Sequence, residues 1–126
     1  MTQEDKELLL KDLCARLPYG VKITHIADDE HCPKTLIGIA KDMITLEGIG
    51  GYECVDIEDY KPYLFPLSSM SDEQLSYYIT TLKYSEETRE MVETPNSFDW
   101  LNKNHFDYRG LIPMGLAIDA TGLNIY

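Results

Sequence analysis

The sequence predicts an α+β fold: a small, strongly bent antiparallel sheet or SH3-like or OB-like barrel of about four or five strands over residues 20–67. An N-terminal helix over 1–19 precedes it, and a helical C-terminal third over 68–126 follows, all within one domain. Three observations carry this. The apolar spacing changes from helical to alternating at Gly20. The connections between the alternating runs are too short to hold a crossover helix, which imposes antiparallel pairing. A proline-bracketed segment, Asp59 to Ser71, then turns the chain from strands to helices.

Thr2, followed three residues later by Asp5, has the pattern of a helix N-cap with an acid in the first turn. Leu9, Leu10, Leu13, Cys14 and Leu17 recur at helical spacing, with Lys6, Glu7, Lys11, Asp12 and Arg16 placed mostly on the rest of the wheel. Pro18 and Gly20 end this helix. Val21 to Ile26, Leu36 to Ala40, Met43 to Leu46 and Tyr52 to Ile57 read as successive strands, with tight turns at Lys41-Asp42 and Gly48-Ile49-Gly50-Gly51. Pro62 and Pro66 fix φ and push their preceding residues out of the helical region, so Tyr63, Leu64 and Phe65 run extended, as a strap and candidate fifth strand. Ser71 and Gln74 form a capping box, and Met70 is placed to staple onto Leu75. The helix that follows spans 71–83. Partial helix is favoured over a mobile loop from there to Val92, a third helix is expected from Phe98 to about Asn104 capped by Asn96 or Ser97, and for Leu111 to Ile118 a short helix with Pro113 in its first turn is favoured over a strand.

Twenty-two acidic against eleven basic residues give a net charge of −11, which repels phosphate backbones and anionic membranes. Direct nucleic-acid binding would require Lys22, Lys34, Lys41 and Lys61 to converge on one face. No apolar run approaches the roughly 18 residues that cross a bilayer. The first residues lack the basic start and apolar block of a secretory signal, so a cytoplasmic location is expected. Cys14, Cys32 and Cys54 are odd in number and without close pairing, which argues for buried thiols over disulfides or structural zinc.

Two blocks, Lys61-Pro62-Tyr63-Leu64-Phe65-Pro66-Leu67-Ser68-Ser69-Met70 and Trp100-Leu101-Asn102-Lys103-Asn104-His105-Phe106-Asp107-Tyr108-Arg109-Gly110-Leu111-Ile112, resemble a family of uncharacterised small proteins of gut Bacteroidales and their phages and mobile elements. The resemblance implies a bacterial, phage or mobile-element origin and carries no activity across.

The densest polar constellation is Asn102, Asn104, His105, Asp107, Tyr108 and Arg109, beside Trp100 and Phe106. A histidine with an acid two residues on can position a base, and an arginine beside aromatic rings can grip a carboxylate or a stacked ring. The same groups can instead tie a helix end to the strands, with Asp107 or Asn104 capping backbone, Arg109 paired to an acid, and Trp100 and Phe106 in the core. Tyr60, Tyr63, Tyr77, Tyr78 and Phe65 cluster around the strap, where large rings with polar tips make either a contact surface or sheet–helix packing. The candidate binding residues are therefore Tyr60, Tyr63, Phe65, Trp100, His105, Asp107, Tyr108 and Arg109.

Asp28-Asp29-Glu30-His31-Cys32 holds metal-ligand residue types in a turn whose neighbours diverge, so it reads as a solvated acidic turn. Cys54 has His25, His31 and His105 only as sequence-distant partners for nucleophilic chemistry. No catalytic or metal residue and no cofactor is assigned. The leading expectation is a non-enzymatic protein–protein interaction module that meets a protein partner or a second copy of itself. The alternatives are an acidic mimic of nucleic acid that inhibits a host factor, and a small hydrolase or metal-dependent enzyme using His105 or Cys54.

Overall fold

The computed structural model describes residues 1–28 and 32–126. The chain is a mixed α+β protein. Helix α1, Gln3–Arg16, leads into β1 (Lys22–His25), β2 (Lys34–Ala40), β3 (Met43–Gly48), β4 (Gly51–Asp56) and β5 (Tyr60–Pro66). Then come α2 (Asp72–Thr80), β6 (Lys83–Ser85), β7 (Glu90–Val92), α3 (Pro95–Lys103), β8 (Phe106–Asp107) and β9 (Ile118–Asp119).

Thr2 caps α1 as the sequence predicts: its hydroxyl accepts from the Asp5 amide at 3.1 Å, and the Asp5 carboxylate accepts from the Thr2 amide at 3.4 Å. The helix's inner stripe is Leu9, Asp12, Leu13 and Arg16, at i, i+3, i+4 and i+7, and all four are buried. Asp12 and Arg16, which the apolar spacing placed with the residues mostly on the rest of the wheel, thus lie against the core. Cys14 falls outside that stripe and is exposed, as are Cys32 and Cys54, so the expectation of buried thiols fails. Cys54 sits on β4, a strand with no buried residue.

Among the described residues the sheet has seven strands, not four or five, and it does not close into a barrel. β1 to β4 form the expected antiparallel meander. β3 and β4 are joined by the two-residue loop Ile49-Gly50, with Gly51 at φ 115°, and Lys41 takes φ 56° in the β2–β3 turn. β5 adds beside β1 with Thr24 opposite Lys61, and its three successive buried residues Pro62, Tyr63 and Leu64 mark a strand covered on both faces. Instead of meeting β4, the second half of β5 pairs in parallel with β8 (Phe65 opposite Phe106) and β9 (Tyr63 opposite Ile118). β4 is left at the end of an open strand order. The strap is extended, and it is an interior strand of the sheet, between β1 on one side and its parallel partners β8 and β9.

Three expectations for the C-terminal third are corrected. Residues 83–92 form the hairpin β6–β7 and not a helix. Glu86, Glu87, Glu90 and Glu93 would repel one another at i+3 and i+4 spacing on a helix, whereas the hairpin turns at Arg89, φ 58°, with its amide on Ser85 O at 2.8 Å. α3 is capped by Thr94 with Pro95 in its first turn, because the Thr94 and Ser97 hydroxyls and amides bond reciprocally. Residues 111–117 are turns between Gly110 and Gly115, both in the left-handed region, and β9 follows. The apolar core runs from Leu9 and Leu13 of α1 through Ile23, Leu36, Ile44, Leu46, Ile57 and Leu64 to Leu111, Leu116 and Ala117. It therefore takes side chains from both ends of the sequence.

Candidate functional site

The segment leaving α3 does most to organise the polar interior. Asn104 closes the helix, its side-chain amide donating to Trp100 O at 2.9 Å, and His105 then turns the chain at φ 63° into β8. That conformation is costly for a residue with a Cβ, and it swings Phe106 and Asp107 onto β5. Asp107 is buried, and its carboxylate accepts from the Leu111 and Ile112 amides, both at 2.9 Å. It fixes the following turn and is committed to backbone.

Arg109 reaches back to α1, donating through Nε to Asp12 Oδ1 at 3.1 Å and through Nη2 to the Tyr108 hydroxyl at 3.0 Å. Asp12 and Arg16 are fully buried and paired at 2.7 Å, and Arg16 Nη2 also donates to Phe106 O at 2.6 Å. The Tyr108 hydroxyl donates to Asn102 Oδ1 at 3.0 Å, while both guanidinium groups lie over its ring, at 5.4 Å for Arg16 and 4.8 Å for Arg109. One carboxylate shared by two guanidinium groups and backed by a π face is a buried ionic lock between the first helix and residues 106–109.

Beside it lies a cleft of about 430 Å³ walled by Phe65, Phe106, His105 and Tyr126, with Lys103 and Gln74 among its other lining residues. The Tyr126 hydroxyl donates to Tyr63 O at 2.7 Å and accepts from the Lys22 amide at 2.9 Å. Its pKa is raised, chiefly by burial, so it stays protonated. His105 Nδ1 is buried without a hydrogen-bond partner. Burial, helped by the charges of Arg16 and Lys22, lowers its pKa to about 4, so the ring is neutral at pH 7.

The remaining candidates separate. Trp100 bridges elements, stacked between Tyr78 of α2 at 6.0 Å and Phe106 at 5.6 Å. Tyr63 is 0% exposed, so its ring belongs to the interior. Tyr60 stands apart from the cleft, edge-on to His25 at 5.2 Å. Cys54 on β4 and His105 beside β8 lie at opposite ends of the strand order and do not come together. Residues 29–31 of the acidic turn lie outside the described residues. Asp28 accepts from the Thr24 hydroxyl at 3.1 Å and the Cys32 amide at 3.0 Å, and among the described residues no group of three or more His, Cys, Asp or Glu could hold a metal. Sequence reasoning missed Asp12, Arg16, Lys103, Gln74 and Tyr126. The i, i+3, i+4, i+7 stripe contained the signal for the first two.

A second surface stands out by what it leaves uncovered. From Ser71 to Glu93 no residue is buried. Leu75 and Ile79, one turn apart on α2, are 47% and 51% exposed, and Tyr84 and Met91, directly opposed across β6–β7, are 55% and 51% exposed. The segment is moored through Trp100 and through the Thr81, Thr94 and Ser97 hydroxyls, and Tyr78 Oη, donating to Glu93 at 2.6 Å, ties its helix to the end of its own hairpin. Comparison of the chain with protein-family models, curated proteins and solved structures gives no match.

Proposed function

We propose that the protein is a non-enzymatic interaction module whose α2 and β6–β7 segment docks a protein partner with apolar anchors and a basic rim. The observation that carries this is the 71–93 segment, which folds into a helix and a hairpin with no fully buried residue and leaves Leu75, Ile79, Tyr84 and Met91 about half exposed. Isolated exposed apolar residues are ordinary, but paired ones on two successive elements with no internal role form an anchor surface. The charge decides the kind of partner. Asp72, Glu73, Glu86, Glu87, Glu90 and Glu93 surround these anchors against only Lys83 and Arg89, so a basic surface is attracted. A second copy, itself carrying −11, is repelled. The two sequence blocks suggest a bacterial or mobile-element origin, and a cytoplasmic setting accords with it; among the described residues no helix is long and apolar enough to cross a membrane.

The test is site-specific photo-crosslinking from positions 75 and 84 in cells, followed by titration of the purified partner. Leu75→Asp and Met91→Asp should each weaken binding about tenfold or more, whereas Tyr52→Asp on β4 leaves it unchanged. Binding should also weaken as salt rises. Equal affinity for the Leu75→Asp and Tyr52→Asp chains, or self-association through this face in sedimentation, overturns the reading.

A further inference from the structure

We propose that the cleft beside His105 is a binding site for a small planar aromatic carboxylate. It stands independently of the docking surface. The cleft's volume of about 430 Å³ falls within the roughly 300–1,000 Å³ of small-molecule sites. Its walls are ring faces: Phe65 lies 6.2 Å from Phe106 and 5.8 Å from Tyr126, and Tyr126 stacks on the neutral imidazole of His105. Rings set at inclined angles around an opening favour a flat, π-faced guest by offset and edge contacts.

The charge around the opening selects the guest's polar end. The chain carries twenty-two acidic residues, yet none lines this cleft among the described residues, and the one cation that does, Lys103, makes no ion pair there. Gln74 directs its Oε1 to the Ser71 amide at 2.9 Å, which leaves its side-chain NH₂ to donate. A lysine and an amide donor lining an aromatic-walled, acid-free hollow recognise a carboxylate. His105 supplies an independent reason to expect a ligand. This wall residue holds a buried ring nitrogen without a hydrogen-bond partner, and each such group in a folded protein calls for an explanation.

The probe is 2-naphthoate, with 2-naphthol as its uncharged counterpart and cyclohexanecarboxylate as its non-aromatic one. Binding is followed by amide chemical shifts at residues 103–106 and by Trp100 fluorescence, since Trp100 stacks on Phe106. Expected is saturable naphthoate binding with a Kd of about 1 mM or tighter, and about tenfold weaker binding of either counterpart. Lys103→Gln, at an exposed position in the last turn of α3, should weaken naphthoate about tenfold while leaving the melting temperature within ~1–2 °C of the parent. Gln74→Glu, which keeps the acceptor to Ser71 and replaces the donor by a charge, should weaken it further. Absence of saturable shifts at residues 103–106, or equal binding of naphthoate by the parent and both variants, overturns the proposal.

Discussion

The imidazole of His105 lies face to face with the phenol ring of Tyr126, with centroids 3.7 Å apart and planes within 11° of parallel. Neither ring can slide away. The Tyr126 hydroxyl is tied to the backbone of Tyr63 and Lys22, and His105 is held between α3 and β8. The stack keeps the imidazole dry, which is why it stays neutral.

The neutral ring has a pH signature whose sign follows from its lowered pKa, about 4 in the folded protein against 6.5 in the unfolded chain. Between those values the unfolded chain takes up a proton that the folded protein refuses. The contribution is therefore full above pH 6.5, is lost as pH falls to 4, and amounts to about 3 kcal/mol. His105→Asn, which tolerates the left-handed backbone, should remove this part of the acid slope in urea unfolding measured from pH 7 to pH 4. Parallel curves for parent and variant would show that the ring is not buried neutral.

Asp12 holds two guanidinium groups, so its loss should be felt more than that of either partner. Asp12→Asn is expected to destabilise by about 3–5 kcal/mol, because Arg16 would remain buried without its counter-charge. Arg109→Ala, whose side chain is 19% exposed, should cost about 1.5–3 kcal/mol. The double variant should fall short of the sum, and equilibrium unfolding of the parent and the three variants measures the coupling.

Tyr63 and Leu75 should respond in opposite ways. Tyr63→Ala removes a fully buried ring from β5 and should cost about 3–5 kcal/mol, so any effect on binding would follow from lost structure. Leu75→Asp, on the uncovered side of α2, should stay within about 0.5 kcal/mol of the parent. Thermal unfolding of both chains separates core from surface.

Thr94→Ala should cost about 1 kcal/mol. It removes the N-cap oxygen of α3 together with the hydroxyl that donates to Thr81 O at 2.9 Å. Hydrogen exchange should quicken over residues 72–92 in this variant while β1 to β5 keep their protection, since the lost bond is one of those that moor the segment.

What the sequence made legible was local. Thr2 with Asp5, Ser71 with Gln74, the glycines after Gly48 and the prolines around Tyr63 each act through their immediate neighbours, and each forms the element expected of it. The parallel partners of β5 were not legible, because two-residue strands such as Phe106–Asp107 have no periodicity to read. The 84–92 stretch misled because its helix-forming glutamates compete with their own mutual repulsion. For the candidate residues, chemistry was readable and destination was not. Arg109 does pair with an acid, but its partner lies on the first helix, and nothing near position 109 points there.

The carbonyl that anchors Arg16 belongs to Phe106, ninety positions downstream. The buried Asp12–Arg16 pair of the first helix is therefore closed off by a segment made about ninety residues later, and β5 waits longer still for β9. Contacts of such sequence separation slow folding, so burial of the first helix should wait for residues 106–109, and truncation before residue 118 should leave β5 without its β9 partner.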